Sequence, residues 1–145
     1  MSTRIRRATT AVAAIAAVAY LATAALAAST VQIAGGPYVI TPKTYWASLK
    51  MSCASTDAPC NGVISSETAF AIKPYSTRPK AKARVADVAY SIPAGTTKIV
   101  KTRVYGPALA QAIKTHRVTL RLTAWESGVT APVATRVAVF TLTHP

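Results

Sequence analysis

The fold class follows from the stretch Thr44-Tyr-Trp-Ala-Ser-Leu-Lys-Met-Ser-Cys53, in which apolar and polar residues alternate. Successive side chains of a β-strand point to opposite faces of a sheet, so apolar residues at every second position indicate a strand with one buried face. We therefore predict a strand over this stretch, with the following side chains toward the core: Tyr45, Ala47, Leu49, Met51 and Cys53.

A turn and a second strand follow, and they bring a second cysteine into the pattern. The segment between Cys53 and Cys60 contains Asp57 and a proline, which favour a turn. The next strand is predicted over residues 62–72, and Cys60 and Phe70 share its inward parity. Because both cysteines fall on inward positions, we expect a Cys53–Cys60 disulfide that closes a hairpin between the two strands.

Similar alternation predicts further strands over residues 86–92, 96–105 and 118–124. A short first strand is predicted over residues 38–40, between the breaker Gly35-Gly36-Pro37 and Pro42, and a last strand over residues 133–143, whose apolar residues fall on both parities. A helical segment is predicted over residues 108–114, because Pro107 suits the first helical position. Leu109 and Ile113 are four residues apart, so we expect them to face the core together. Six to seven strands with one short helical crossover are typical of an antiparallel β-sandwich or barrel.

The N-terminal region has the three parts of a secretory signal peptide. Arg4, Arg6 and Arg7 form a basic head, an apolar run extends from Ala8 to about Ala28, and the run ends in the triplet Ala25-Leu-Ala27. We predict cleavage after this triplet. A retained membrane anchor is the alternative, because the run is long enough to span a bilayer. In both cases the rest of the chain lies outside the cytoplasm.

The predicted organisation is a signal peptide at residues 1–27, a linker with the first strand at residues 28–43, and one β-sandwich domain at residues 44–145. Without the three arginines of the leader, the chain keeps 14 Lys and Arg residues against 4 acidic residues, a net charge of about +10. Such a basic exported domain suits anionic partners. The two cysteines fit the same location, because disulfides persist in oxidising compartments.

The segment Tyr90-Ser-Ile-Pro-Ala-Gly-Thr-Thr-Lys-Ile-Val-Lys-Thr-Arg-Val104 is the most distinctive part of the chain. With the helical segment and the basic strand after it, and with Ser52-Cys53 and Cys60-Asn-Gly-Val upstream, it resembles secreted immunoglobulin-like or fibronectin-type-III-like modules of actinobacteria. The similarity covers residues 50–143. The resemblance implies an immunoglobulin-like antiparallel β-sandwich at the cell envelope, and it implies no particular activity.

Residues suited to catalysis are few. The acidic residues are Asp57, Glu67, Asp87 and Glu126. Nothing in their spacing predicts the two facing carboxylates that glycoside cleavage requires. The histidines, His116 and His144, are expected at the surface. The sequence has no serine-nucleophile motif, phosphate-binding glycine loop or metal-ligand cluster. We therefore predict no enzymatic activity, no cofactor and no metal.

Two features favour binding. One is the densest positive segment after the leader, formed by Arg78, Lys80, Lys82 and Arg84. The other is Trp125, on an outward position near Arg121, because an aromatic ring beside a cation suits sugars and nucleic acids. Trp46 is likewise outward, near Lys50. An alternative stays open for each feature: a solvated loop for the cations, and packing against the core for the tryptophans.

These observations favour a secreted or envelope-associated, non-catalytic binding or structural module that contacts an anionic envelope polymer or another surface protein. One alternative is a small secreted hydrolase, in which a pocket would join Glu67, Asp87 or Glu126 to a histidine. Another is a secreted nucleic-acid-binding protein, whose affinity would fall steeply with salt. Membrane contact is expected only if residues 1–27 stay attached.

Overall fold

The computed structural model describes residues 30–55, 57–73 and 79–144. Within them the chain forms eight strands and one helix: β1 (Val31–Ile33), β2 (Tyr38–Ile40), β3 (Trp46–Cys53), β4 (Cys60–Thr68), β5 (Arg84–Ile92), β6 (Thr97–Arg103), α1 (Gly106–Thr115), β7 (Arg117–Glu126) and β8 (Ala134–Leu142). The predicted all-β, sandwich-like class with one short helix is confirmed. The strand count exceeds the predicted six to seven because β1 was not predicted. The predicted leader, residues 1–27, lies outside the described residues, and so does Arg78.

All eight strands belong to one hydrogen-bonded sheet, and β2 joins two groups of strands within it, which we call the two layers. In one layer β3 lies between β1 and β6, and in the other the order is β8-β7-β4-β5. Strand β2 pairs antiparallel with β3 through Ile40 and Ala47, and parallel with β8 over Tyr38–Ile40. A purely antiparallel fold was predicted, but this short strand passes from one layer to the other and makes one parallel pair.

The core lies between the two layers, where alternate residues of the long strands meet. Ala47, Leu49 and Met51 of β3 are fully buried, as their alternation predicts. Leu120 and Leu122 of β7 are buried opposite them in the other layer. Burial of a large apolar side chain contributes roughly 1.5–3 kcal/mol, so these alternating positions supply most of the driving force for the sandwich.

The disulfide between Cys53 and Cys60 is confirmed, but the predicted hairpin between its strands is wrong. Strand β3 pairs with β1, β2 and β6, whereas β4 pairs with β5 and β7. The disulfide therefore joins the end of one layer to the start of the other. Both cysteines are buried, with exposed fractions of 2% and 3%, and their Cα atoms lie 5.7 Å apart.

Two inward assignments are also wrong. Strand β4 ends at Thr68, so Phe70 lies beyond it and is 68% exposed. In α1 the buried residues are Ala108 and Ala112, while Ile113 is 52% exposed. Leu109 packs against the core as predicted, so only Ile113 of the predicted pair is misplaced. Because a helix turns by about 100° per residue, the face centred on Ala108 and Ala112 keeps Leu109 at its edge and leaves Ile113 outside. Alanine on that face allows the helix to approach the sheet closely. No helix in the described part of the chain is long and apolar enough to cross a membrane.

Candidate functional site

The outward side chains of β3 and β6 form a single surface, because residues 46–52 of β3 pair without interruption with residues 97–103 of β6. The cross-strand pairs are Trp46 with Arg103, Ser48 with Lys101, Lys50 with Ile99 and Ser52 with Thr97. Directly opposite residues share one face of a sheet. We call these eight residues the Trp46 face.

The charge of the Trp46 face is entirely positive. It carries Lys50, Lys101 and Arg103 and no acidic residue. All three cations are exposed, and Trp46 beside Arg103 is 42% exposed. Among the described residues the ion pairs lie elsewhere, so no such pair neutralises this face. The positive charge of the face is therefore available to an anion.

The strand β3, which supplies half of this face, is paired at both of its edges. The inward residues of β3 are buried in the core, and β1 and β2 pair with the edge of β3 opposite to β6. In β6, Val100 and Thr102 point inward and are buried. A site on paired strands holds its side chains in a more defined geometry than a site on a loop. The face therefore presents its cations and its tryptophan at set intervals.

A second aromatic residue extends one end of the face. Tyr105, the residue before α1, has φ −147° and ψ −179°, so the extended backbone of β6 continues through it. Tyr105 therefore shares the outward parity of Arg103, and it is 51% exposed. Trp46, Arg103 and Tyr105 make this end of the face aromatic, while the remaining positions carry cations, hydroxyl groups and Ile99.

The predicted basic segment lies elsewhere. Lys80 and Lys82 are exposed in the segment before β5, which an isolated bridge between Ile72 and Ala81 holds against the end of β4. Lys80 lines a shallow cavity of about 370 Å³ together with Lys73 and with Lys114 of α1. The segment is therefore a solvent-exposed positive loop. A binding role for Lys80 and Lys82 stays a prediction.

The predicted residues Arg84, Arg121 and Trp125 lie together with two carboxylates, and we call this group the Arg121 cluster. Arg121 pairs with Glu67 across β4 and β7, with 3.5 Å between nitrogen and oxygen. Arg84 forms an ion pair with Asp87 on its own strand. The cluster contains as many acids as cations, so its net charge is zero. Trp125, Arg84 and Glu67 line a cavity of about 430 Å³.

Trp125 is half-buried, and its backbone is tied to the neighbouring strands. The Tyr90 hydroxyl donates a hydrogen bond of 3.1 Å to the Trp125 carbonyl oxygen. Burial, with a smaller contribution from the Glu126 charge, raises the pKa of Tyr90 to about 12. A Cβ atom at Gly62 would lie 1.8 Å from the same carbonyl oxygen. Trp125 therefore belongs to a tightly packed strand end, and its side chain offers less free area than that of Trp46.

The carboxylates and the histidines occupy different places. The ring centroids of His116 and His144 lie 4.3 Å apart. The Leu142 amide donates a 2.9 Å hydrogen bond to the His116 carbonyl oxygen, which holds the end of β8 next to the end of α1. Their cavity of about 290 Å³ is lined without a carboxylate. Glu67 pairs with Arg121, and Glu126 accepts a hydrogen bond from Thr30. These contacts give the hydrolase alternative no support.

Trp46 and Lys50 were predicted to point outward, but no sequence signal connected them with Lys101 and Arg103. Strand parity marks all four as outward. The missing information was the pairing of β3 with β6, which are distant in sequence. The face could have been predicted from two features together: cations at alternate positions of one strand, and an outward tryptophan on the strand that pairs with it.

No model of a protein family matches this chain, and a search of curated proteins finds no similar sequence. We therefore base the functional proposal on the geometry and charge of the described residues.

Proposed function

We propose that this protein is a non-catalytic, exported or envelope-associated module that binds an anionic polymer of the cell envelope through the Trp46 face. The observation that carries the proposal is the register of β3 and β6, which places Lys50, Lys101, Arg103 and Trp46 on one exposed surface without an acidic residue. A surface of one sign of charge attracts ligands of the opposite sign.

The remainder of the chain is consistent with this role. Without the three arginines of the leader the chain keeps 14 Lys and Arg residues against 4 acidic residues, so long-range attraction also favours an anionic partner. The leader-like N-terminal sequence supports export. The buried disulfide supports an oxidising compartment. An open sheet face suits an extended polymer better than a small molecule, which generally occupies a concave pocket.

A matched pair of charge variants tests the proposal. The face variant carries Lys50→Gln, Lys101→Gln and Arg103→Gln, and the control variant carries Lys73→Gln, Lys80→Gln and Lys82→Gln. Each loses three positive charges. All six positions are exposed, so each substitution is expected to change the free energy of unfolding by less than about 0.5 kcal/mol.

Retention of each variant on isolated envelope fractions is the measurement. Each lost charge contact weakens binding by roughly 0.5–1 kcal/mol, so the face variant should bind about 10-fold to 100-fold more weakly than the wild type. The control variant should lose much less. Equal losses would mean that net charge alone determines binding. Loss only in the control variant would assign binding to the positive loop.

A further inference from the structure

We infer that the polymer is a polyol phosphate, a chain of phosphodiesters joined by short hydroxylated linkers, and that it runs along β3 and β6. This inference rests on the proposed function, and it concerns the spacing of the charges rather than their number. The three cations of the Trp46 face follow one another at nearly constant steps.

The spacing follows from the strand register. Lys101 and Arg103 are two residues apart on β6, so their Cα atoms are separated by about 7 Å. Lys50 lies opposite Ile99, which makes it the diagonal neighbour of Lys101, and such neighbours are about 7–8 Å apart. The Cα atoms that carry the three cations therefore follow one another in two successive steps of about 7 Å.

The repeat of a phosphodiester polymer matches this step. Three backbone bonds of an extended chain span about 3.5 Å, so a repeat of six bonds spans about 7 Å. Six bonds separate neighbouring phosphorus atoms in a poly(glycerol phosphate), through one oxygen, three carbons and a second oxygen. The sugar–phosphate backbone of a single-stranded nucleic acid also has six bonds per repeat. Each cation can thus meet one phosphate in either polymer.

The positions of the aromatic residues distinguish the two polymers. Proteins that bind single strands stack successive bases on successive aromatic side chains. Here Trp46 and Tyr105 lie at one end, and the rows that follow carry hydroxyl groups on Ser48, Ser52 and Thr97. Hydroxyl groups suit a linker that itself bears hydroxyls. The face therefore favours a polyol phosphate over a nucleic acid.

Variants that move a charge without removing it test the spacing. In the first, Ser48→Lys with Lys50→Ser places the cation directly opposite Lys101. In the second, Lys50→Ser with Ser52→Lys places it one row farther away, opposite Thr97. Both keep the composition and the net charge of the chain. The second variant also avoids two lysines directly opposite each other, and thermal unfolding of both shows whether they fold.

The measurement is the affinity of the full chain for a poly(glycerol phosphate), for an oligothymidylate with the same number of phosphates and for polygalacturonate, at several salt concentrations. We expect tightest binding to the poly(glycerol phosphate), with a slope of log affinity against log salt of about −2 for three phosphate contacts. Each exchange variant should bind it at least about fivefold more weakly, with a shallower slope.

The outcomes separate this inference from the proposed function. Unchanged affinity in both exchange variants, with weak binding by the face variant, would overturn the spacing argument and leave the proposed function standing. Tighter binding to the oligothymidylate would assign the face to nucleic acid, and tightest binding to polygalacturonate would assign it to a carboxylate polymer. If the face variant binds all three polymers as the wild type does, the proposed function itself is wrong.

Discussion

Removal of the disulfide that joins the two layers should lower the free energy of unfolding by an amount that depends on the length of the loop it closes. The cross-link closes a loop with a sequence separation of 7 residues, and both cysteines are buried. In the chain-entropy model a loop of this size removes roughly 2.4 kcal/mol of unfolded-state entropy at 25 °C. We therefore expect Cys53→Ala with Cys60→Ala to lower the free energy of unfolding by about 2–3 kcal/mol, since alanine at these buried sites adds no polar group.

The assay is urea unfolding followed by tryptophan fluorescence. The oxidised wild type, the reduced wild type and the double alanine variant should be compared at one protein concentration. The reduced protein should lose about as much stability as the variant, and the denaturant slope of both should rise because their unfolded chains are less compact. A loss below about 0.5 kcal/mol would refute the conclusion that the cross-link between the layers restrains the unfolded chain.

Three further substitutions test the packing. Gly62→Ala should destabilise the fold by about 2–3 kcal/mol in urea unfolding, because its Cβ atom would overlap the Trp125 carbonyl oxygen. Folding raises the pKa of Tyr90 from its ordinary value of 10.0 to about 12, so its contribution to the free energy of unfolding is complete below pH 10 and is lost between pH 10 and pH 12. Tyr90→Phe should abolish this part of the alkaline loss of stability, and a pH profile identical to that of the wild type would contradict the assignment. Phe140→Ala should cost about 3–5 kcal/mol by thermal unfolding, while the exposed control Val139→Ala should cost less than about 0.5 kcal/mol.

Local alternation was sufficient to predict which side chains of β3 are buried in the core. The alternation in β3 correctly predicts the burial of Ala47, Leu49, Met51 and Cys53. The reason is geometric, because the two faces of a strand are fixed by a period of two residues. The same reasoning predicted inward positions for both cysteines, and with them the disulfide.

Local patterns could not predict which strands pair. The hairpin between β3 and β4 was predicted because the strands are consecutive, yet the chain crosses from one layer to the other between them. Both arrangements bury the two cysteines, so parity cannot distinguish them. The short β1 was not predicted, and it acquires its structure by pairing with Ser52 and its neighbours in β3.

The candidate site was only partly predictable for the same reason. Outward parity identified Trp46 beside Lys50, and it identified Trp125 beside Arg121. It could not show that Glu67 neutralises Arg121, because that ion pair depends on the register of β4 against β7. The charge of a sheet face is a property of neighbouring strands, so it becomes visible only when their register is known.

Chemical labelling of lysines measures the central claim most directly, because it needs no variant. The protein should be treated with an amine-acylating reagent, with and without a poly(glycerol phosphate), and the modified positions quantified by mass spectrometry. We predict that bound polymer protects Lys50 and Lys101 of the Trp46 face, while the exposed Lys80 and Lys82 react as before. Protection of Lys80 and Lys82, with unchanged labelling of Lys50 and Lys101, would contradict the account.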